Sequence, residues 1–440
     1  MAGIFKAYDI RGIVPDQLDE VIAQKIGYAF AIELKAHAIA VGNDMRVSAD
    51  AIKGAFIEGI TSAGADVYDV GMCSTPFSYF ASGALDVDGS AMVTASHNPQ
   101  EYNGFKFSRS EARPVSYETG IGNIEKRVNT CDSIPDAAGK VIQTDIDEKY
   151  KNHILSFTDI TRRVRVAVDA GNGMGGVEME KYFSDQDIDI IPLYFEPDGS
   201  FPNHEPNPLK PENMKDLQDK VRESEAEFGA AFDGDADRVM FTDEKGDIIS
   251  SDLITALFAR DALEQEQGAA VIYDLRSSKV VREEIEKRGG TPIESRVGHS
   301  YIKGVMREHD APVGGELSGH YYFRDNYYAD SGIIAFGKLL SIVCGSDKPL
   351  SDLLKPLRRY HASGEINFKV EDKDGKIKEL AEKFSDAEVS FLDGITVKSS
   401  GWWFNVRKSN TEPLLRLNLE ADTKKIMEEG INNVSDILSA

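Results

Sequence analysis

The feature that most constrains the fold is a unit that occurs three times along the chain. In each copy an apolar, β-branched run reaches an aspartate, a helical stretch follows, and a second apolar run ends the unit. The first runs span residues 38–42, 164–168 and 269–273, the helical stretches 49–64, 176–184 and 279–288, and the second runs 66–71, 189–193 and a segment ending at Gly298. Strand, crossover helix and parallel strand form the basic unit of α/β domains. We therefore predict three related α/β domains with mixed, mainly parallel sheets.

The tail of the chain has a different pattern. From about His361 it shows short alternating segments, typical of antiparallel strands, and a closing helical stretch from Thr423. This pattern predicts a smaller C-terminal α+β domain with helices on one face of its sheet. Polar or turn-rich segments separate the units. We place the four domains at residues 1–150, 151–250, 251–358 and 359–440.

The composition excludes several classes of protein. The chain has 440 residues, 41% of them hydrophobic, which suffices for several cores. Its net charge of -24 disfavours nucleic acid and anionic membranes as partners. We find no apolar run of membrane-spanning length and no signal-like N-terminus, so a cytoplasmic location is expected. Cys73, Cys131 and Cys344 are too few and too dispersed for a disulfide framework or a thiolate zinc site.

The most specific local motif is an aspartate-rich loop at 233–238. Asp233, Asp235 and Asp237 alternate with other residues between two apolar runs, so the loop is predicted to join two strands of a hairpin. Three carboxylates at such spacing suit one hard divalent cation, whose open positions favour phosphate oxygens. The alternatives are a solvated acidic hairpin and an EF-hand calcium loop. An EF-hand needs glycine at the sixth position, where this chain has Arg238.

A second motif is the stretch 94–99, which follows the apolar run 91–93. The Asn98-Pro99 pair predicts a turn that presents the Ser96 hydroxyl at the edge of a sheet. Taken alone, a serine beside His97 in such a turn is more often a hydrogen-bonded loop than a reactive group. Near the N-terminus, Arg11 in a predicted turn is either an anion contact or an ordinary surface arginine.

Two further loops carry polar groups that suit a phosphorylated sugar. Residues 314–320 combine glycines with Glu316, Ser318 and His320, which suit sugar hydroxyls and proton transfer. Residues 407–413 concentrate two cations, two hydroxyls and an amide in a turn, which suits a phosphate dianion. The competing interpretation of both segments is a polar surface loop.

The motifs occur in one order along the chain, and their combination resembles a known family. Ser-His-Asn-Pro, Asp-Gly-Asp-Ala-Asp-Arg, Gly-Glu-Leu-Ser-Gly-His and Arg-Lys-Ser-Asn-Thr-Glu-Pro follow Tyr-Asp-Ile-Arg-Gly at 8–12. This set resembles the α-D-phosphohexomutases, most closely the bacterial and archaeal phosphomannomutase/phosphoglucomutase group. The resemblance implies four domains around a central active-site cleft. It also implies interconversion of hexose 6-phosphate and hexose 1-phosphate, of mannose, glucose or both, through a phosphoserine and a 1,6-bisphosphate.

The resemblance also implies roles for individual residues. Ser96 would carry the phosphate, next to one Mg²⁺ per active site held by Asp233, Asp235 and Asp237. Arg11, Lys106 and His320 would supply the proton-transfer group and its electrostatic helpers. The remaining implied contacts are to the substrate: Tyr8, Arg238, Arg276, His299, Glu316, Ser318, Arg407, Ser409, Asn410 and Thr411. Glucose or mannose 1,6-bisphosphate would act as activator.

Two positions depart from the family pattern, and two other functions stay open. Arg276 stands where many relatives have lysine, and Leu317 is closer to the methionine of the phosphomannomutase/phosphoglucomutase group than to the glutamine of phosphoglucosamine mutases. The alternatives are a phosphoglucosamine mutase and a magnesium-dependent sugar-phosphate phosphatase. The expected partners are hexose phosphates, and neither nucleic acid nor a membrane is expected. The protein is predicted to be a monomer or a dimer. A segment near 355–365 is predicted to act as the hinge of the tail domain.

Overall fold

The computed structural model describes residues 3–136, 139–409 and 414–439. These residues form two compact units. The first unit comprises the described residues of 1–251 together with 318–353, and the second those of 252–317 and 354–440. No helix in these described ranges is long and apolar enough to cross a membrane.

The first sheet lies in the first unit, in the N-terminal third of the chain. Its strands are β1 (Ile10–Ile13), β2 (Ala38–Asn43), β3 (Asp66–Met72), β4 (Gly89–Val93), β5 (Tyr102–Arg109), β6 (Arg113–Pro114) and β7 (Val141–Gln143). Their order is β1-β5-β4-β2-β3-β7, with β6 beside β5. Strands β2, β3, β4 and β7 are parallel, whereas β5 runs antiparallel to both β4 and β1. The helices that accompany them are α1 (Glu20–Leu34), α2 (Ala49–Ser62), α3 (Thr75–Ala84) and α4 (Gly122–Thr130).

The second sheet also belongs to the first unit. Helix α5 (Asp147–Leu155) precedes β8 (Val164–Asp169), α6 (Met174–Phe183), β9 (Ile188–Leu193), α7 (Lys215–Ser224), β10 (Phe228–Phe232), β11 (Val239–Asp243) and β12 (Ile248–Ile249). The strand order is β12-β11-β10-β8-β9. Strand β8 pairs in parallel with β9 and β10, and β10 pairs antiparallel with β11. The aspartate loop therefore joins the two strands of a hairpin, as predicted.

The third region contributes to both units. Its elements are α8 (Ser251–Gln265), β13 (Ala270–Asp274), α9 (Lys279–Lys287), β14 (Thr291–Ser295), α10 (His299–Glu308), β15 (Val313–Gly315), β16 (Tyr321–Phe323), β17 (Ala329–Asp330), α11 (Gly332–Cys344) and α12 (Leu350–Leu354). In the second unit, β13 pairs in parallel with β14 and β15. In the first unit, β16 and β17 form an antiparallel pair. Single helical turns occur at Ser110–Ala112, Tyr117–Ile121, Pro211–Met214 and Arg324–Asn326.

The C-terminal region of the second unit is an antiparallel sheet with two helices. Its elements are β18 (His361–Lys369), α13 (Lys373–Lys383), β19 (Glu388–Ser390), β20 (Ile395–Ser399), β21 (Trp402–Lys408), β22 (Leu414–Ala421) and α14 (Lys424–Ser439). The strand order is β18-β22-β21-β20-β19, and each neighbouring pair is antiparallel. Both helices pack with this sheet around a core that includes Leu380, Phe404 and Val434. The fold class predicted from the sequence, three α/β domains and a smaller α+β domain, is confirmed.

Two local features differ from the sequence-based expectation. Arg11 lies in edge strand β1 and not in a turn, because the fully buried Ile10 pairs with Phe105 of β5. The boundary between the first two predicted domains, expected in a polar, turn-rich segment near residues 144–158, instead contains helix α5, whose Tyr150 ring packs against Phe77 with a centroid distance of 4.8 Å. In both cases a partner distant in sequence fixes the local structure.

Candidate active site

Ser96 lies three residues beyond the end of β4, in a backbone conformation that is rare for its residue type. Its φ is +52°, in the left-handed region, and its side chain is fully buried. The Ser96 amide donates to Thr94 Oγ1 at 2.8 Å, which fixes the turn. A non-glycine residue in this region costs about 1–3 kcal/mol and persists only where the surroundings hold it.

The Ser96 hydroxyl faces a carboxylate. Ser96 Oγ donates to Asp233 Oδ2 at 2.8 Å, and His97 Nδ1 lies 3.2 Å from Ser96 Oγ. Burial, and then the cations Arg238 and Arg11, hold the pKa of His97 well below its usual value. His97 is therefore neutral, and the arrangement differs from a serine activated by a histidine and carboxylate pair.

The aspartate loop brings three buried carboxylates together between β10 and β11. Oxygen atoms of Asp233, Asp235 and Asp237 lie within 4.8 Å of one another. Gly234 packs so closely against the Ser96 loop that a Cβ there would lie 2.5 Å from the Ser96 carbonyl oxygen. The loop is flanked by strands, whereas an EF-hand loop joins two helices. The EF-hand alternative is therefore wrong.

The donor set of this loop fits a hard divalent cation. Carboxylate oxygens are the ligands that Mg²⁺ and Ca²⁺ prefer, and Asp235 Oδ1 is buried with no hydrogen-bond partner in the described part of the chain. Burial, and then the charges of Asp237 and Asp235, raise the pKa of Asp233 well above its usual value. Three clustered carboxylates are costly without a compensating cation, so a bound divalent ion would stabilise the loop.

Lys106 supplies one positive charge to this loop from strand β5. Its Nζ lies 2.6 Å from Asp235 Oδ2 and also donates to Asp237 Oδ2. Burial favours the neutral amine, but Asp235 and Asp237 outweigh it, and the pKa of Lys106 is raised. For Asp237 the penalty of burial is likewise outweighed, by Lys106 and His320, and its pKa is held well below the usual value. Lys106 is thus a charged group inside the acidic cluster.

His320 and Arg238 lie beside the same carboxylates. Arg238 Nε donates to His320 Nε2 at 3.3 Å, and His320 Nε2 lies 3.4 Å from Asp237 Oδ1. On the other side of the ring, His320 Nδ1 is 2.9 Å from Ser318 Oγ. His320 Nε2 therefore lies between the guanidinium of Arg238 and the carboxylate of Asp237, and its Nδ1 lies beside a hydroxyl.

Arg11 reaches the Ser96 loop from the edge of the first sheet. It donates through Nε to Asp9 Oδ2 at 2.8 Å and through Nη1 to Asn98 Oδ1 at 2.5 Å. In β1 it lies opposite Gly104, where a Cβ would be only 1.9 Å from the Ile10 carbonyl oxygen. The first unit therefore contains Ser96 together with most of the residues predicted to surround it: Arg11, Lys106, Asp233, Asp235, Asp237, Arg238, Ser318 and His320.

The second unit holds Arg276, Glu316 and Arg407, three further residues of the predicted substrate site. Arg276 follows β13 and grips Asp274 through two bonds, Nε to Oδ1 at 3.1 Å and Nη2 to Oδ2 at 2.7 Å. Its Nη2 is also 3.5 Å from Glu316 Oε1. Asp274 Oδ2 accepts from the Leu317 amide at 2.7 Å, so the same carboxylate orients both the arginine and the predicted sugar loop.

Arg407 is a buried residue of β21, near the end of that strand. Its Nη2 donates to Glu365 Oε2 at 3.2 Å, and Arg276 Nη1 lies 3.8 Å from the same oxygen. Ser409 follows β21 and its amide donates to the Leu414 carbonyl at 2.9 Å.

Two further predicted substrate residues lie near the starts of elements. Tyr8 lies in the turn before β1, and His299 opens α10. Asn410 and Thr411 lie outside the described residues.

Four family models match consecutive parts of the chain. They describe phosphoglucomutase/phosphomannomutase alpha/beta/alpha domain I at residues 2–134, domain II at 148–246, domain III at 250–360, and the C-terminal domain at 365–437. The phosphomannomutase of Methanocaldococcus jannaschii is 39% identical over 441 residues, which cover 99% of this chain and 97% of that protein.

The chain belongs to the phosphoglucomutase/phosphomannomutase family.

Other comparisons agree with this membership. The phosphomannomutase of Escherichia coli K12 is 39% identical over 95% of this chain and 94% of its own length. A crystal structure of a phosphoglucomutase/phosphomannomutase family protein from Burkholderia thailandensis matches with a TM-score of 0.93 and 35% identity, over 99% of this chain and 96% of that one. The open form of a Paramecium phosphoglucomutase, at 17% identity and a TM-score of 0.80 over 100% of this chain and 96% of that one, shows the shared fold alone.

Sequence reasoning missed the arginine that holds the Ser96 loop in this family member. The fully enclosed guanidinium of Arg46 donates to four carbonyl oxygens, those of Ser96 at 2.8 Å, Asn98 at 2.6 Å, Pro99 at 2.8 Å and Tyr102 at 2.9 Å. A charged residue shortly after strand β2 was the available signal, but its carbonyl partners are some 50 residues away in the chain.

Two more residues that support the site carry no motif of their own. Asp44 accepts from Thr94 Oγ1 at 2.6 Å and lies 3.3 Å from Arg46 Nε, so it supports the Ser96 loop. Thr75 opens helix α3, and its amide donates to the Asp235 carbonyl at 3.0 Å while its hydroxyl contacts the Asp235 carboxylate. Both become recognisable only when strand ends and helix ends meet in the fold.

Proposed function

We propose that this chain is a hexose-phosphate mutase that interconverts the 6-phosphate and the 1-phosphate of mannose, glucose or both. Membership of the phosphoglucomutase/phosphomannomutase family supports this function, as do relatives named phosphomannomutase. The observation that carries the mechanism is the 2.8 Å contact between Ser96 Oγ and Asp233, because it joins a hydroxyl to a three-carboxylate loop.

In the proposed cycle, Ser96 rests as its phosphate ester. The bond between phosphorus and Ser96 Oγ breaks while a bond forms from phosphorus to the free hydroxyl oxygen of the hexose phosphate, and one proton moves in net terms from that hydroxyl to Oγ. The sugar 1,6-bisphosphate then returns its other phosphate to Oγ by the reverse step. Of the three groups proposed for proton transfer and its electrostatic support, Arg11, Lys106 and His320, the imidazole of His320 is the one suited to take the hydroxyl proton.

We assign Asp233, Asp235 and Asp237 to one Mg²⁺, together with an oxygen of the Ser96 phosphate. When bound, that ion would neutralise negative charge on the transferring phosphoryl group. Lys106 and Arg238 lie beside the same carboxylates and would add positive charge there, and Arg11 would do so from the Asn98 side of the loop.

We further propose the substrate contacts implied by the family motifs. Glu316 and Ser318 would bind sugar hydroxyls, and Arg276 would position Glu316. The phosphate that does not react would bind to Arg407 and the loop that follows it. The residues in these roles are Tyr8, Arg276, His299, Glu316, Ser318, Arg407, Ser409, Asn410 and Thr411.

The test combines a mass measurement with product analysis. The purified protein is treated with glucose 1,6-bisphosphate and Mg²⁺, and its intact mass is compared with that of Ser96→Ala and of the matched control Ser110→Ala, an exposed serine of the same domain. We expect one phosphate on wild type and on Ser110→Ala, and none on Ser96→Ala, together with conversion of mannose 1-phosphate or glucose 1-phosphate to the 6-phosphate.

Two results would contradict the proposal. An active enzyme with no phosphate on Ser96 before or after treatment would defeat the phosphoserine mechanism. Stoichiometric release of inorganic phosphate from the substrate would indicate a phosphatase, since a mutase conserves total phosphate ester. Comparison with glucosamine 1-phosphate as substrate tests the phosphoglucosamine mutase alternative.

A further inference from the structure

Three arginines of the second unit surround one carboxylate, and we call these four residues the arginine cluster. Glu365 Oε2 lies 3.2 Å from Arg407 Nη2 and 3.8 Å from Arg276 Nη1, while Glu365 Oε1 lies 3.2 Å from Arg416 Nη1. The arginines come from the end of β13 and from strands β21 and β22, and the glutamate comes from β18. Glu365 lies outside every sequence motif that indicates a functional site.

The arrangement of these arginines requires an anion. Arg407 and Arg416 face each other directly across β21 and β22, where like charges destabilise a sheet. Burial, and then the Arg276 guanidinium, lower the pKa of Arg407. The Arg407 side chain is only 4% exposed, and its Nε has no hydrogen-bond partner within the described ranges. Arg407 is therefore a buried cation with donor capacity that Glu365 does not fill.

Glu365 holds the arginines loosely compared with the other carboxylate nearby. Asp274 accepts two hydrogen bonds from Arg276, at 3.1 Å and 2.7 Å, and is itself fully buried. Glu365 shares single contacts of 3.2–3.8 Å among three guanidinium groups, and its side chain is 28% exposed. It also lies at an irregularity of β18, where the pairing register shifts between Ala362 and Glu365. An exposed carboxylate with single contacts at an irregular strand position is easily displaced.

We infer that Glu365 is an internal counter-ion that occupies Arg407 and its neighbours until the non-reacting phosphate of the substrate takes its place. This inference rests on the proposed function, which assigns that phosphate to Arg407. Substrate binding is then an exchange of one anion for another, and phosphate departure is assisted by the returning carboxylate. A mutase needs such easy release, because the two phosphates of the bisphosphate must alternate at this position.

The test measures anion affinity directly. Binding of inorganic phosphate and of mannose 6-phosphate is measured by calorimetry for wild type, Glu365→Gln and Glu388→Gln, an exposed glutamate on β19 of the same sheet. We expect Glu365→Gln to bind both ligands about fivefold more tightly, because the competing charge is gone, with Glu388→Gln like wild type. In turnover, KM and kcat should both fall for Glu365→Gln, since binding strengthens while release slows.

An unchanged or weaker affinity in Glu365→Gln would overturn the inference. Glu365→Asp, which keeps the charge, should stay near the wild-type affinity, and thermal unfolding verifies that each variant is folded. A double-mutant comparison shows whether the change in phosphate affinity acts through Arg407. In an Arg407→Ala background, Glu365→Gln should no longer change phosphate binding.

The phosphate measurements do not depend on turnover. A wild type that leaves hexose phosphates unchanged would therefore defeat the proposed function, whatever the phosphate affinities are. A wild type that turns over normally, with phosphate affinity unaltered by Glu365→Gln, would defeat the internal counter-ion alone.

Discussion

At the scale of single residues, Lys106 shows how the acidic loop is kept folded before a metal binds. Its ammonium contacts Asp235 and Asp237, and its side chain is 8% exposed. A buried ion pair that loses one partner leaves an uncompensated charge, which costs about 3–5 kcal/mol. Lys106 therefore stabilises the same carboxylates that a divalent cation would bind.

We predict that Lys106→Met lowers the free energy of unfolding by about 3 kcal/mol in EDTA, because three buried carboxylates then face one another. Mg²⁺ should restore much of this loss and should raise the melting temperature of the variant more than that of wild type. Differential scanning calorimetry with and without Mg²⁺ measures both effects. Lys126→Met, an exposed change on α4, serves as control, and equal responses of the two variants would count against this role.

Sequence reasoning identified the residues whose neighbours in the chain carry the signal. Ser96 and the three aspartates lie in short motifs, so the turn at Ser96 and the hairpin loop of clustered carboxylates could be predicted. Arg46 could not be identified this way, because its four carbonyl partners lie some 50 residues away and carbonyl groups have no sequence signature. Residues that act on backbone groups become visible only in the folded chain.

At the scale of secondary-structure elements, the periodicity of the sequence identified the buried strands. It did not identify the short edge strands or the contacts between elements. Strand β1 has only four residues, and it is a strand because β5 pairs with it. Helices α3 and α6 meet through Ser74, which caps α3, and Glu178 of α6, to which Ser74 donates. Since Thr75 in the next position contacts Asp235, this junction lies directly behind the acidic loop.

This junction predicts a pH dependence of stability. Burial raises the pKa of Glu178 to about 8 from an ordinary value of 4.5, against the opposing effects of Ser74 and Lys181. A carboxyl with a raised folded-state pKa keeps its proton in the folded protein while the unfolded chain releases it. Stability therefore declines as pH rises from about 4.5 to about 8.

Glu178→Gln removes this ionisation and keeps an acceptor for Ser74, so it should raise the melting temperature at pH 8 by about 5 °C. At pH 5 the variant should resemble wild type. Thermal unfolding across this range, with exposed Glu180→Gln on the same helix as control, measures the difference. A variant that follows the wild-type curve at every pH would contradict the prediction.

At the scale of the whole molecule, charge is the dominant feature. The chain has 74 acidic and 50 basic residues, which gives a formal charge of -24. Acidic groups far from any partner repel one another, and this repulsion acts on the compact state more than on the unfolded chain. The arginine cluster and the groups around Ser96 are exceptions, because there cations converge locally on an anion site.

We predict that salt stabilises the protein, because ions screen this repulsion. Raising NaCl from about 20 mM to about 300 mM in EDTA should increase the melting temperature by roughly 2–5 °C. Choline chloride should give the same curve, since screening does not depend on the identity of the cation. A melting temperature that falls with added salt would indicate that attractive ion pairs outweigh the repulsion.

The left-handed backbone of Ser96 has a practical consequence for trapping ligands. Glycine adopts this conformation without steric cost, whereas alanine carries the same Cβ as serine. A Ser96→Gly protein would thus lose the proposed phosphate acceptor while relaxing the loop, so we expect it to be a better inactive form than Ser96→Ala for capturing the proposed sugar bisphosphate. A conformationally costly residue at this position fits a role in chemistry better than a role in stability.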